Sequence, residues 1–346
     1  MSLSFRVAVG QFKELTQDDL AFSSQIGASG ITINRPDLET KSWQSFLGKH
    51  YPYGPADFNK TAKWDFMDLL NLRQRIEDFG LKLEAIENVP YRFYDKVLIG
   101  AEGRDQQIDN YCETLQNLGR AGIRTLGYHF CPNLVWRTST SRPARGGAGV
   151  TAFNLEDARL APNTHGREIG ASEMWDNYSY FITKVLPAAE EAGVRMSLHP
   201  DDPPVPMLGG VARIMNSLEG FRRALSIGDS PNNGLTYCVG TWGQMGGTVV
   251  YEALDEFTKS NRVCYLHVRN IKGSVPNFAE CFVDEGDIDL VKILRILHRN
   301  NFAGFLIDDH VPQMSGDTPW GNRGRAFSTG YLSGLCRGIE AIESRA

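Results

Sequence analysis

Short β-branched runs alternate with stretches of helical period along most of the chain. Residues 5–9 predict a strand closed by Gly10, and Thr16 offers an N-cap for a helix over residues 17–26. Residues 30–34 are a second strand, ended by Pro36. Residues 65–79 place Phe66, Leu69, Leu70, Leu72 and Ile76 at helical spacing, with Gly80 as the stop. Residues 81–86 are a third strand running into Glu87. A helix over residues 106–121, capped by Gly122, precedes the fourth strand at 123–127, which runs into Tyr128-His129. The later units repeat the scheme. Helices at about 172–191, 217–225, 248–258 and 287–300 alternate with strands at 194–198, 234–237, 262–266 and 304–307. A helix from about 330 to 344 closes the chain.

Strict alternation of strand and helix implies parallel pairing through right-handed crossovers. Eight such units predict an α/β (β/α)8 TIM barrel, a single domain over residues 1–346, with long loops at its C-terminal face. Two stretches lack a period. One follows the second strand and carries Trp43, Tyr51, Tyr53 and Pro55. The other, at about 133–171, holds Trp136-Arg137-Thr138 and a Gly/Arg/Ser tract, and is expected to be a lid-like insertion. No Gly-x-Gly-x-x-Gly follows the first strand, so a dinucleotide fold has no support.

Composition narrows the partners. The chain has 346 residues, 42% hydrophobic and 22% charged, with a formal net charge of −5. That mild acidity argues against a nucleic-acid or anionic-membrane surface. No apolar run is long enough to span a bilayer, and the first residues lack the regions of a signal peptide. The 6 cysteines are scattered, as expected of free thiols in a reducing cytosol.

In such a barrel the active site lies at the C-terminal ends of the strands. The last four strands deliver His199, Cys238, His267 and Asp309 (or Asp308). Two imidazoles, a thiolate and a carboxylate suit Mn²⁺, Fe²⁺, Co²⁺, Ni²⁺ or Zn²⁺ rather than Mg²⁺ or Ca²⁺. Four protein ligands leave room for substrate only if the ion expands its coordination, which favours Mn²⁺ or Fe²⁺. Other strand ends supply Asn34, Glu87, Tyr128 and His129. Arg137 and Arg269 offer positive charge for an anionic substrate. Asp201 and Asp202, in His199-Pro200-Asp201-Asp202-Pro203-Pro204, would orient His199 or contact substrate hydroxyls. His310, beside Asp309, is the best-placed imidazole left for acid/base work.

These residues resemble the mannonate dehydratase family, sugar-acid dehydratases with a xylose-isomerase-like barrel. The resemblance rests on Leu126–Pro132 with Trp136-Arg137-Thr138, the His-Pro-Asp-Asp-Pro-Pro run, Gly234–Thr241, His267-Val268-Arg269-Asn270, Phe278-Ala279-Glu280 and Asp309-His310, and covers most of the chain from roughly residue 60. It implies one Mn²⁺ or Fe²⁺ on His199, Cys238, His267 and Asp309. It also implies acid/base catalysis by His310. Read from the strand ends and loops themselves, Tyr128 and His129 are the next candidates for that role, and Glu87, Trp136, Arg137, Asp201, Asp202 and Arg269 are the candidate substrate contacts. The implied reaction converts D-mannonate to 2-keto-3-deoxy-D-gluconate and water. Such an ion would acidify the C2 proton of an aldonate held by its carboxylate and 2-hydroxyl. The expected protein is a cytoplasmic homo-oligomer, a dimer, that engages a small sugar acid, with no nucleic acid and no membrane. The chain departs from the family pattern at Ile307-Asp308, at Asn34-Arg35-Pro36 and after His310, where no tyrosine precedes Tyr331. A sugar isomerase or epimerase, a dehydratase of another aldonate, or a non-catalytic sugar-acid binder are the alternatives on this scaffold.

Overall fold

A computed structural model describes residues 3–48 and 62–343. Eight parallel strands close into a barrel in chain order: β1 (Arg6–Phe12), β2 (Gly30–Asn34), β3 (Lys82–Glu87), β4 (Thr125–Tyr128), β5 (Arg195–Leu198), β6 (Asn233–Cys238), β7 (Val263–Val268) and β8 (Phe305–Asp308). β8 returns to β1 through Arg6↔Phe305 and Val7↔Leu306. The helices between them cover the outside and bury a continuous apolar core against the strands. A smaller cluster of Ala8, Ala85, Tyr265, Phe305 and Ile307 fills the barrel interior, with Tyr265 stacked on Phe305 at 4.8 Å.

Local signals account for the helix ends. Thr16 and Asp19 form a reciprocal capping box, and the Ser217 hydroxyl accepts from the Gly220 N–H at 3.2 Å. Gly193 ends the helix Ala171–Ala192 in the left-handed conformation at φ +61°. The last helix starts earlier than its pattern predicts, at Asn322. Asp317 caps it through the Arg323 N–H (2.8 Å) and Gly324 N–H (3.1 Å), while the glycines inside it mask the helical signal.

The stretch at 133–171 is more regular than expected. Ser139–Pro143 and Gly149–Asn154 form an antiparallel hairpin. Gly149–Asn154 then pairs with a second hairpin, Asn270–Ser274 and Asn277–Cys281, which follows β7. Phe153 and Phe278 stack across the junction at 5.7 Å. Of the other aperiodic stretch, Trp43 is buried in a short helix, Lys41–Phe46, and Tyr51, Tyr53 and Pro55 lie outside the described residues. Among the described residues no helix is long and apolar enough to cross a membrane.

Two long outer helices, Arg104–Arg120 and Ala171–Ala192, meet closely where Gly119 faces the last turn of the second. A Cβ at Gly119 would run into the Ala192 carbonyl. Helix propensity alone favours alanine there by about 1 kcal/mol. The clash reverses the sign, and Gly119→Ala is expected to lower stability by about 1–3 kcal/mol in urea unfolding.

Candidate functional site

Side chains on a strand alternate between faces, so a residue two positions beyond an inward-facing one also faces inward. The mouth of the barrel follows this rule. Ala85, Tyr265 and Ile307 face the interior, and two residues on stand Glu87, His267 and Asp309. Ser197 and Thr236 share a hydrogen bond of 2.8 Å, and two residues on stand His199 and Cys238. A Cβ on Gly127 would lie 2.6 Å from the Tyr265 hydroxyl, and two residues on stands His129. The same parity turns Tyr128 and Asp308 away.

His199, Cys238 and His267 are buried, and their ligating atoms lie within 4.8 Å of one another. His199 Nδ1–H donates to the Pro200 carbonyl at 2.7 Å, which leaves Nε2 with a free lone pair. His267 Nε2–H donates to Glu87, and the Tyr265 hydroxyl fixes that carboxylate from below at 2.7 Å. His267 Nδ1 faces Asp309 Oδ1 at 3.8 Å. Burial pushes the Cys238 thiol up, but the Arg269 guanidinium, foremost among the groups that oppose it, brings it to about 5. Cys238 therefore favours the thiolate, the ligating form. Its sulfur lies 3.6 Å from Asp309 Oδ2. Two anions this close and out of water, beside two imidazoles, fit a divalent cation.

A buried ionic network forms the wall beside this trio. Arg269 donates to Glu280 Oε1 and Asp202 Oδ2, each at 2.6 Å, and its Nε lies 2.7 Å from Asp309 Oδ2. Arg137 grips both oxygens of Asp202 at 2.7 Å and reaches Glu280 at 2.8 Å. The two arginines expected to meet an anionic substrate are thus saturated by protein carboxylates. Burial disfavours the charged form of Asp202, but Arg137 and Arg269 hold its carboxyl well below the usual range.

A cleft of about 280 Å³ opens above, lined by His129, His199, Asp202, Asp309 and His310 among others. His310 is part-exposed, and its Nδ1–H donates to Glu280 at 2.7 Å. Burial opposes its protonation, but Asp309 and Glu280 raise it above the ordinary value. His129 stacks on His199 with ring centroids 4.2 Å apart. Burial, then the neighbouring His199, hold it well below the ordinary value, so it stays neutral.

The structure commits other expected residues elsewhere. The Tyr128 ring packs on Phe181 and its hydroxyl sits 3.4 Å from that of Tyr178, behind the strand. Asp201 accepts the Met215 N–H at 2.8 Å and ties down the loop after β5. Trp136 packs against the turn at Gly209. Asp308 faces outward, accepting from Arg325 at 2.7 Å and from the Gly10 N–H at 3.0 Å, so of the two aspartates it is Asp309 that faces the trio. Burial, only partly offset by Arg325, pushes its carboxyl up to about 6. Trp320, in the segment lacking a tyrosine, stacks on Phe12 at 3.9 Å. Residue patterning alone points to no role for Glu280, Gln11 or Arg35. Glu280 orients His310, while Gln11 and Arg35 line the cleft.

A family model described as D-mannonate dehydratase (UxuA) matches residues 54–161 and 155–346. A mannonate dehydratase from Streptococcus pneumoniae (strain 70585) is 31% identical over 303 residues, 79% of this chain and 82% of its own length. The crystal structure of mannonate dehydratase from Streptococcus suis serotype 2 superposes with a TM-score of 0.81 at 27% identity, covering 99% of this chain and 95% of that one. A xylose isomerase domain protein from Planctomyces limnophilus gives a TM-score of 0.59 at 13% identity, over 97% of this chain and 99% of that one, a likeness of fold alone.

Because Arg137 neutralises buried Asp202 and Glu280, Arg137→Ala is expected to cost about 3–5 kcal/mol of stability by denaturant unfolding. Arg145, whose pair with Asp284 is 44% and 26% exposed, is the control. Its replacement should cost at most about 1 kcal/mol.

Proposed function

This chain belongs to the D-mannonate dehydratase family and is a hydro-lyase, and from that premise we propose how its cleft removes water from D-mannonate. The product is 2-keto-3-deoxy-D-gluconate. The observation that carries the reading is the convergence of His199, Cys238 and His267 beside Asp309, with His310 in the same cleft. His199, Cys238, His267 and Asp309 would hold the ion, Mn²⁺ or Fe²⁺ by the mixture of nitrogen, sulfur and oxygen donors. Bound there, the ion would act as a Lewis acid toward the oxygens around C2 and make the C2 proton easier to remove.

The residues divide the remaining work. Glu87 and the Pro200 carbonyl fix the two imidazoles in the orientation that presents a lone pair. Glu280, held by two arginines, orients His310 through Nδ1, so that Nε2 is the atom available for proton transfer. His310 is the general acid, and it protonates the departing 3-hydroxyl. His129, neutral and lining the same cleft, takes the C2 proton. The C2–H bond and the C3–O bond break, water leaves, and the resulting enol tautomerises to the 2-keto acid. The cytoplasmic dimer remains part of this proposal.

Metal-loaded protein is expected to convert D-mannonate to a 2-keto-3-deoxy acid in a colorimetric assay with Mn²⁺ or Fe²⁺. No product from any six-carbon aldonate, or an isomer formed without loss of water, overturns the reading. His310→Asn should retain metal by elemental analysis and lose turnover. Cys238→Ser should lose metal, and Tyr128→Phe should keep near-normal turnover because its hydroxyl lies behind the strand.

A further inference from the structure

We propose that Arg35 is the counter-charge that selects the carboxylate of the substrate, an inference that rests on the sugar-acid reading above. An anionic substrate needs a cation with unused hydrogen-bond donors. Arg137 and Arg269 do not qualify, since the first already carries two protein carboxylates and the second three. Arg35 lines the cleft together with Lys13, His129 and His310. Its Nε is buried without a hydrogen-bond partner, and among the described residues no carboxylate pairs with it. The acids nearest in sequence, Asp37 and Glu39, are bound by Arg92 instead. A buried Nε–H without an acceptor is unfavourable until a ligand brings one.

The backbone points the same way. Arg35 sits at φ +52°, in the left-handed region that a side-chain-bearing residue rarely adopts. Pro36 follows and disfavours the right-handed helical conformation at Arg35. The Arg35 N–H is held by the Glu87 carbonyl at 2.8 Å, so the residue is anchored to the strand that also orients His267. Strained conformations of this kind persist where the surroundings over-determine them, often at ligand sites. β2 also lies across the barrel from β6, which bears Cys238. A sugar acid between them would have the ligand trio on one side and the guanidinium on the other.

The test pairs each sugar acid with its neutral alditol: D-mannonate with D-mannitol, D-gluconate with D-glucitol and D-xylonate with xylitol. Binding is measured by calorimetry on metal-loaded His310→Asn protein, with and without Arg35→Ala or Arg35→Lys. Arg35→Ala is expected to weaken acid binding at least tenfold and leave alditol binding within twofold. Arg35→Lys should recover part of the loss. In the otherwise native enzyme, Arg35→Ala should raise KM far more than it lowers kcat. Its thermal midpoint should be unchanged or higher, whereas a structural arginine would lower it. Acid binding unchanged by Arg35→Ala, or acid and alditol weakened equally, overturns the assignment. So does a parent protein that binds no sugar acid better than its alditol. If the native enzyme releases water from none of the acids yet Arg35→Ala still weakens their binding selectively, the dehydratase reading falls and the assignment of Arg35 stands.

Discussion

Arg269 reaches, from a position almost without solvent contact, the carboxylates of Asp202, Glu280 and Asp309 and the sulfur of Cys238. These four groups come from the loop after β5, the second hairpin, the end of β8 and the end of β6. One guanidinium therefore ties the second hairpin to strand ends that the barrel already brings together. Its planar fork suits several acceptors at once, which a lysine ammonium does less well. Burying it is costly, and only the number and geometry of its partners offset that cost. With Arg137, two guanidinium charges face four anionic groups, if Cys238 is counted as thiolate. That excess of anions, through Asp309 and Glu280 and against the opposing effect of burial, draws a proton toward His310.

The barrel was legible because its repeat is a property of each local segment. Every strand is a short apolar run, each long helix has a cap or a stop, and alternation forces parallel pairing. His199, Cys238, His267 and Asp309 were legible for a further reason: strand ends in a barrel converge on one face. The small sheet was not legible. Ser139–Pro143 is mostly exposed, has no apolar alternation and pairs with a strand whose other neighbour lies well over a hundred residues along the chain. Nothing local distinguishes such a segment from a loop.

Parity separates residues that adjacency in sequence groups together, Tyr128 with His129 and Asp201 with Asp202. Adjacent residues on an extended backbone face opposite ways. His129 and Asp202 reach the cleft, whereas Tyr128 and Asp201 close buried contacts away from it. Arg137 and Arg269 are a different case, engaged by protein carboxylates. Charge complementarity in sequence does not reveal whether a cation is already matched, and Glu280, which helps to match both, lies on the hairpin that the pattern did not disclose.

The departure at the eighth strand follows from these constraints. Asp308 faces outward, where Arg325 of the last helix and the Gly10 N–H of β1 hold it. Arg325 also donates to the Gly10 and Asp309 carbonyls and lies over the Trp320 ring at 4.2 Å. The pair thus ties the last helix to the seam where β8 closes on β1. It fixes the backbone on which Asp309 faces inward and His310 follows. One side of that strand end serves barrel closure and the other serves the cleft. A substitution at Asp308 would therefore act on the site only through the backbone of its neighbours, whereas one at Asp309 would act through the charge that Arg269 and His267 face.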